Sequence, residues 1–155
     1  MDQSADYITK EKRKALEVEL ENLKGPKRKE ILAALEYAKS LGDLSENAEY
    51  HQTREDQGKL EERITKIEKI LQSSQTVSHD GGDVVEVGSK VIVQKEGSKD
   101  SKTFTIVGSE ETDMASGKIS NKSPFGEALF GKKKGGDVSF KTPNGVVNYK
   151  IIDVS

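Results

Sequence analysis

Between Ser40 and Thr53 the chain carries three carboxylates, Asp43, Glu46 and Glu49, and no Lys or Arg. Charged residues make up 34% of the 155 positions while the formal net charge is only −2, so a local run of three acids without a counter-ion stands out. Wherever that stretch is helical, the spacing of three puts the carboxylates on one face. Two uses fit them. Asp43 at an N-cap with Glu46 at N3 makes a capping box, and acids favour the positive end of a helix dipole in any case. Alternatively, a pair of exposed carboxylates is half of a Mg²⁺ site, because that ion takes one or two protein carboxylates and draws its other oxygens from water and substrate phosphates. Half a site of this kind could complete a two-metal phosphoryl-transfer centre in another molecule. As an enzyme by itself it would lack walls, oxyanion donors and a substrate groove, and nothing faces it across a cleft as a glycosidase requires.

The elements that must position these acids are legible from composition. Nine of ten Leu lie at or before Leu71, whereas eleven of twelve Val and eleven of fourteen Gly lie at or after Val77. Leucine without glycine favours helix, and valine with frequent glycine favours short strands joined by turns. The expected organisation is therefore α+β in two domains, 1–76 and 77–155, with the boundary in the Ser73 to Gly82 stretch. In the first, Leu16, Leu20 and Leu23 are spaced four then three; Ile31, Leu35 and Ala38 repeat the rhythm after Gly25-Pro26, and Leu60, Ile64, Ile67 and Leu71 follow four-three-four. These are coiled-coil seams. Gly42 stands where a C-cap glycine belongs, and helix is expected again from Glu46 to Gln72, roughly 40 Å at 1.5 Å per residue. Two arms of similar length joined by a short turn form an antiparallel hairpin, with the acids at its far end. Gly58 costs about 1 kcal/mol inside a helix, and the seam from Thr53 to Gln57 lacks large apolar residues, so the tip half is expected to be the more mobile.

The second domain reads as strands at Val84 to Val87, Lys90 to Lys95, Lys102 to Val107, Asp137 to Thr142 and Val146 to Val154, with Pro143-Asn144-Gly145 as a hairpin turn. Ser123-Pro124 reads as N-cap and N1 of a short helix through Phe130, ended by Gly131. Phe104, Phe125, Phe130, Phe140 and Tyr149 are assigned to a core.

The stretch Leu41-Gly42-Asp43-Leu44-Ser45-Glu46-Asn47-Ala48-Glu49-Tyr50, with Arg54-Glu55-Asp56-Gln57-Gly58 after it, closely resembles the bacterial Gre transcript-cleavage factors. The resemblance continues through Phe104 to Ser109, Lys118-Ile119-Ser120, Ser123-Pro124, Ala128 to Gly131 and Thr142-Pro143 with Gly145, so it covers nearly the whole chain. It implies a coiled-coil hairpin followed by a small FKBP-like domain, in a cytoplasmic monomer that binds RNA polymerase and inserts the hairpin through the secondary channel. On the same resemblance Asp43 and Glu46 match the two metal-directing carboxylates. They would share Mg²⁺ with the polymerase only in the complex, no cofactor being held by the chain alone, so that the polymerase cuts the extruded 3′ end of backtracked RNA. Asn47, Glu49 and Tyr50 fall in the same motif as supporting tip residues; Arg54 and Lys39 match positions directed towards RNA. Ser123, Pro124 and Phe125 match the loop that meets the coiled coil of the largest polymerase subunit at the channel rim.

Two departures bear on this. An Arg-Glu-His-like run usual before the Gly-Asp is replaced by Ala38-Lys39-Ser40-Leu41, and Gly25-Pro26 displaces the commoner arrangement between the first two helices. Arg54, Lys59, Arg63 and Lys66 are interleaved with Glu55, Asp56, Glu61 and Glu62, the pattern of a solvated face.

Other classes are constrained by composition. The absence of Cys removes a disulfide framework and a thiol nucleophile, and His51 and His79 lack a second ligand at metal spacing. A net charge of −2 does not make a nucleic-acid coat, no apolar run approaches 18 residues, and the opening Met-Asp-Gln-Ser-Ala-Asp is not expected to act as an export signal. Three rivals remain: a channel-binding inhibitor, an FKBP-like prolyl isomerase or chaperone, and a coiled-coil adaptor without chemistry.

Overall fold

The computed structural model describes residues 5–155. Residues 1–4, most of the opening read above for an export signal, lie outside the described residues. The chain divides into two compact units, Arg13–Ser73 and a second that joins 5–12 to Ser74–Ser155. Among the described residues no helix is long and apolar enough to cross a membrane.

The first unit is a helical hairpin. Helix α1 (Lys10–Asn22) passes through one π-helical turn (Leu23–Lys27) into α2 (Arg28–Ser40), and α3 (Ala48–Ser73) returns after the turn. Gly25-Pro26, expected to break the arm, is absorbed by the π turn. Proline removes one backbone donor and crowds the carbonyl of the preceding turn, and widening the ladder by one residue relieves both without ending the helix. Arg13 Nη2 donates to the Leu71 carbonyl at 3.2 Å, while Asn47 Nδ2 at the other end reaches the Ala38 carbonyl at 2.6 Å, so the arms run antiparallel. The seam buries Leu16, Ile31, Leu35, Ala38, Leu60, Ile64 and Ile67, as the rhythm predicts. At its last position Ile70 is buried and Leu71 only half so, a one-residue slip from the expected four-three-four. Full burial of such a side chain is worth about 1.5–3 kcal/mol. Bidentate pairs from Arg28 to Glu61 and from Arg63 to Glu19 flank the seam. Being partly exposed, each contributes about 0–1 kcal/mol and serves mainly to fix register.

The second unit is built on a five-stranded sheet in the order β5-β4-β3-β7-β6, from β3 (Lys90–Lys95), β4 (Ser101–Val107), β5 (Lys118–Ser120), β6 (Asp137–Thr142) and β7 (Gly145–Val154). All pairs are antiparallel except β4 with β5. A separate parallel pair joins β1 (Tyr7–Thr9) to β2 (Gln75–Val77), two strands too short to leave a periodic signal. One sheet face carries Val91, Val93, Ile106, Ile119, Val138 and Ile151, closed by Val85, Val87 and Leu129. Val84 to Val87 is not a strand. Val84 makes a single bridge to Lys133, and Val85 N donates to the Lys132 carbonyl at 2.8 Å, so this apolar run plugs the core as a loop.

Phe104, Phe125, Phe130 and Tyr149 pack against this core as expected, though only partly buried. None of the four Phe is fully buried; Phe125 stacks on Phe140 at 4.8 Å and meets Phe104 edge-on at 5.1 Å and Tyr149 at 5.0 Å, a half-buried ring cluster at the margin of an aliphatic core. Phe104 on β4, Tyr149 on β7 and Phe140 on β6 bring their rings together with Phe125 of the short helix that follows β5.

Gly108 is required by close approach: a Cβ there would stand 1.6 Å from the Tyr7 carbonyl oxygen. Thr9 begins α1, accepting from Lys12 N at 3.1 Å, and Glu111 holds Thr9 through both its N–H (3.0 Å) and its hydroxyl (2.8 Å).

Candidate functional site

The acidic segment forms the turn between α2 and α3. Helix α2 stops at Ser40 and Gly42 adopts φ 126°, a conformation that leads the chain out of the helix and that side-chain-bearing residues rarely adopt. Asp43 does not cap a helix at this point. Its Oδ1 accepts from Ser45 N at 3.0 Å and from Ser45 Oγ at 2.9 Å, which closes a side-chain turn two residues long. The chain therefore stays out of helix through Glu46, and α3 starts at Ala48, two residues later than expected. The capping role falls to Asn47. Its Oδ1 accepts from Tyr50 N at 3.0 Å while its Nδ2 donates to the Ala38 carbonyl at 2.6 Å, so one side chain starts α3 and ties it to α2.

Asp43 and Glu46 are both exposed in this turn, and Glu49 is exposed in the first turn of α3. Hydrogen bonds from the Ser45 backbone and hydroxyl hold the Asp43 carboxyl below its ordinary value of 3.8. Asp43 Oδ2 and both Glu46 oxygens have no hydrogen-bond donor among the described residues.

The other expected residues are positioned as follows. Tyr50 is half-buried with its ring 5.6 Å from that of His51, edge to face. Arg54 is exposed and donates to Gln57 Oε1 at 3.0 Å, not to Tyr50 one turn back. Lys39 is exposed in the last turn of α2. Thus Lys39, Asp43, Glu46, Asn47, Glu49, Tyr50 and Arg54 share one end of the hairpin. Ser123, Pro124 and Phe125 belong to the other unit, at the start of α4 (Pro124–Leu129). There Ser123 Oγ accepts from Gly126 N at 3.1 Å and donates to the Ser120 carbonyl at 2.7 Å, the expected cap. Ser45 was not singled out in the sequence, although an Asp followed two residues later by a small hydroxyl is a recognisable turn signal.

Asp43 and Glu46 offer hard oxygen donors with open lone pairs, which suits Mg²⁺. No group of three or more His, Cys, Asp or Glu side chains able to hold a metal occurs among the described residues. A cleft of about 540 Å³ in the second unit, lined by Lys95, Ser98, Ser139, Tyr149 and Lys150 among others, includes no His or Cys in its lining.

Residues 6–75 match the family described as "Transcription elongation factor, N-terminal", and 79–155 match "Transcription elongation factor, GreA/GreB, C-term". The chain is 45% identical to transcription elongation factor GreA of Clostridium acetobutylicum over 99% of both chains. It is 43% identical to that of Roseiflexus sp. over 96% of both. A solved structure, the GreA factor homolog 1 protein of Thermus thermophilus, is similar over 97% of this chain and 99% of that one, at 24% identity and a TM-score of 0.45.

Proposed function

Because this chain belongs to the GreA/GreB family of transcription elongation factors along both of its halves, we propose that it binds RNA polymerase as a monomer and stimulates the polymerase's own cleavage of nascent RNA in backtracked complexes. The hairpin of the first unit enters the secondary channel, and the Ser123–Phe125 segment meets the polymerase at the channel rim. The observation that carries the reading is the free state of Asp43 Oδ2 and Glu46 in a turn fixed from both sides. Carboxylate oxygens left open in this way, on the end of an arm whose α3 alone is 26 residues or roughly 39 Å long, are groups presented to another molecule.

The chain's own residues have separable tasks. Ser45 orients Asp43; Asn47 fixes the angle at which the turn leaves α2; Glu46 supplies the second carboxylate, with Glu49 and Tyr50 beside it. Mg²⁺ held jointly with the polymerase would lower the pKa of its water and offset charge on the phosphodiester. Lys39 and Arg54 bracket the acids and contact the RNA. The chain has no catalysis of its own on this account.

The reading is tested with purified polymerase in a stalled, backtracked complex, comparing wild type with Asp43→Asn and Glu46→Gln. Wild type shortens the RNA, and each variant loses at least the 10–100-fold that even outer-shell partners of a metal are worth. Variants that cut as well as wild type would overturn the carboxylate role. Suppressed cleavage by wild type would identify an inhibitor.

A further inference from the structure

Four tyrosines occur in the chain, and three of them are packed. Tyr7 is 3% exposed, Tyr149 joins the ring cluster of the second unit, and Tyr50 meets His51. Tyr37 is the exception. It lies in α2 one turn before the acidic loop, is 60% exposed, and its side chain makes no hydrogen bond or ring contact among the described residues. Leu41, four residues on and so on the same face, is 52% exposed, and Leu44 in the turn is 40% exposed. The backbone beneath the ring is nonetheless fixed. The Tyr37 carbonyl accepts from Ser40 Oγ at 2.6 Å, and Ala38 beside it is fully buried, with its carbonyl held by Asn47 at 2.6 Å.

We infer that Tyr37, flanked by Leu41 and Leu44, is a stacking platform for an unpaired base at the extruded RNA end, an assignment that rests on the function proposed above. The electrostatics favour a base over any other part of the RNA. With Asp43, Glu46 and Glu49 and no cation from Ser40 to Thr53, the tip repels phosphates, and Lys39 and Arg54 are the cations nearest to it on either side. Beyond Lys39, Arg54 and the shared ion, attraction at the tip comes from uncharged surface. A phenol ring on a fixed backbone supplies it, because every base has a π-face and stacking is tolerant of sequence. The platform is a positioning device. It holds the strand while Asp43 and Glu46 address the phosphodiester.

The test uses the full-length protein and a backtracked complex whose RNA carries 2-aminopurine near its 3′ end. Wild type, Tyr37→Phe and Tyr37→Trp quench the fluorescence. Tyr37→Ala and Tyr37→Leu do not, and they cut RNA about ten-fold more slowly, with unchanged affinity for polymerase that holds no extruded RNA. Because the site is an exposed helical position, Ala and Leu leave the fold intact. The inference is overturned if Tyr37→Leu behaves as wild type, if Tyr37→Ala cuts normally, or if Tyr37→Ala weakens binding to the RNA-free channel. The first and last outcomes assign the ring to a protein wall. If wild type leaves the RNA uncut, the proposed function fails and this inference with it; if wild type cuts and Tyr37→Ala cuts equally, only the platform fails.

Discussion

Asp43 shows how one neighbour sets the properties of a site. Its carboxylate accepts both donors of Ser45, and those bonds favour the charged form, which depresses its pKa below 3.8. Since the folded-state value is below the unfolded one, the associated stabilisation is present above the unfolded pKa and is lost as pH falls through the folded midpoint. Ser45→Ala deletes the hydroxyl donor and leaves the backbone donor. The Asp43 midpoint, followed by carbon-detected NMR, is therefore expected to rise towards 3.8 without passing it. An unmoved midpoint would show that the Ser45 hydroxyl does not lower the Asp43 pKa. The acids themselves were legible as an uncompensated run in a charge-rich chain. What the run could not disclose was which residue capped the helix, because Asp43 and Asn47 are both good N-cap types and only the Ser45 bonds decide between them.

At the scale of elements, Asn47 carries the junction of α2 and α3. Asn47→Ala removes the cap and the tie to Ala38, and is expected to cost about 0.5–2 kcal/mol, read by urea denaturation. Asn47→Asp keeps an acceptor for Tyr50 N but loses the donor to the Ala38 carbonyl, so its loss should be intermediate and hydrogen exchange should quicken on the α2 side of the turn. Equal losses for both variants would contradict the division of labour. The leucine and isoleucine rhythm made the hairpin readable, since a seam with a 3.5-residue period has few alternatives. β3 and β6 were readable to the residue for a similar reason, each being a run with Gly, Ser or Pro within two residues of either end. The first pairing was not. Tyr7–Thr9 finds Gln75–Val77 across 68 positions, and three-residue strands have no period to detect. Nor was the π turn, because Gly-Pro breaks most helices and is tolerated here by one added residue.

Across the whole molecule, glycines at two positions make opposite predictions. Gly58 lies exposed in α3 with nothing within 4 Å of a Cβ, so Gly58→Ala is expected to stabilise by up to about 1 kcal/mol. Gly108 backs directly onto the Tyr7 carbonyl, and Gly108→Ala must push β1 away. Such overpacking costs typically about 1–3 kcal/mol and here involves backbone that has no rotamer to adopt. Denaturant midpoints that move the same way for both would argue against the tight seating of β1. This seating matters because Tyr7, 3% exposed, belongs to the core of the second unit although it precedes the hairpin in the chain. The hairpin is thus inserted into the unit that its own flanking residues complete, an arrangement that composition, which divides the chain once near residue 77, could not display.

If the tip carboxylates lend oxygen ligands to an ion in the polymerase, the Mg²⁺ dependence of RNA cleavage changes when they are neutralised. Cleavage by a backtracked complex is followed across a Mg²⁺ titration with wild type, Asp43→Asn and Glu46→Gln, each at saturating protein. If the account holds, wild type lowers the Mg²⁺ concentration for half-maximal rate and each variant returns it towards the value without factor. A half-maximal concentration that is the same for wild type and both variants, with only the plateau rate changed, would contradict it.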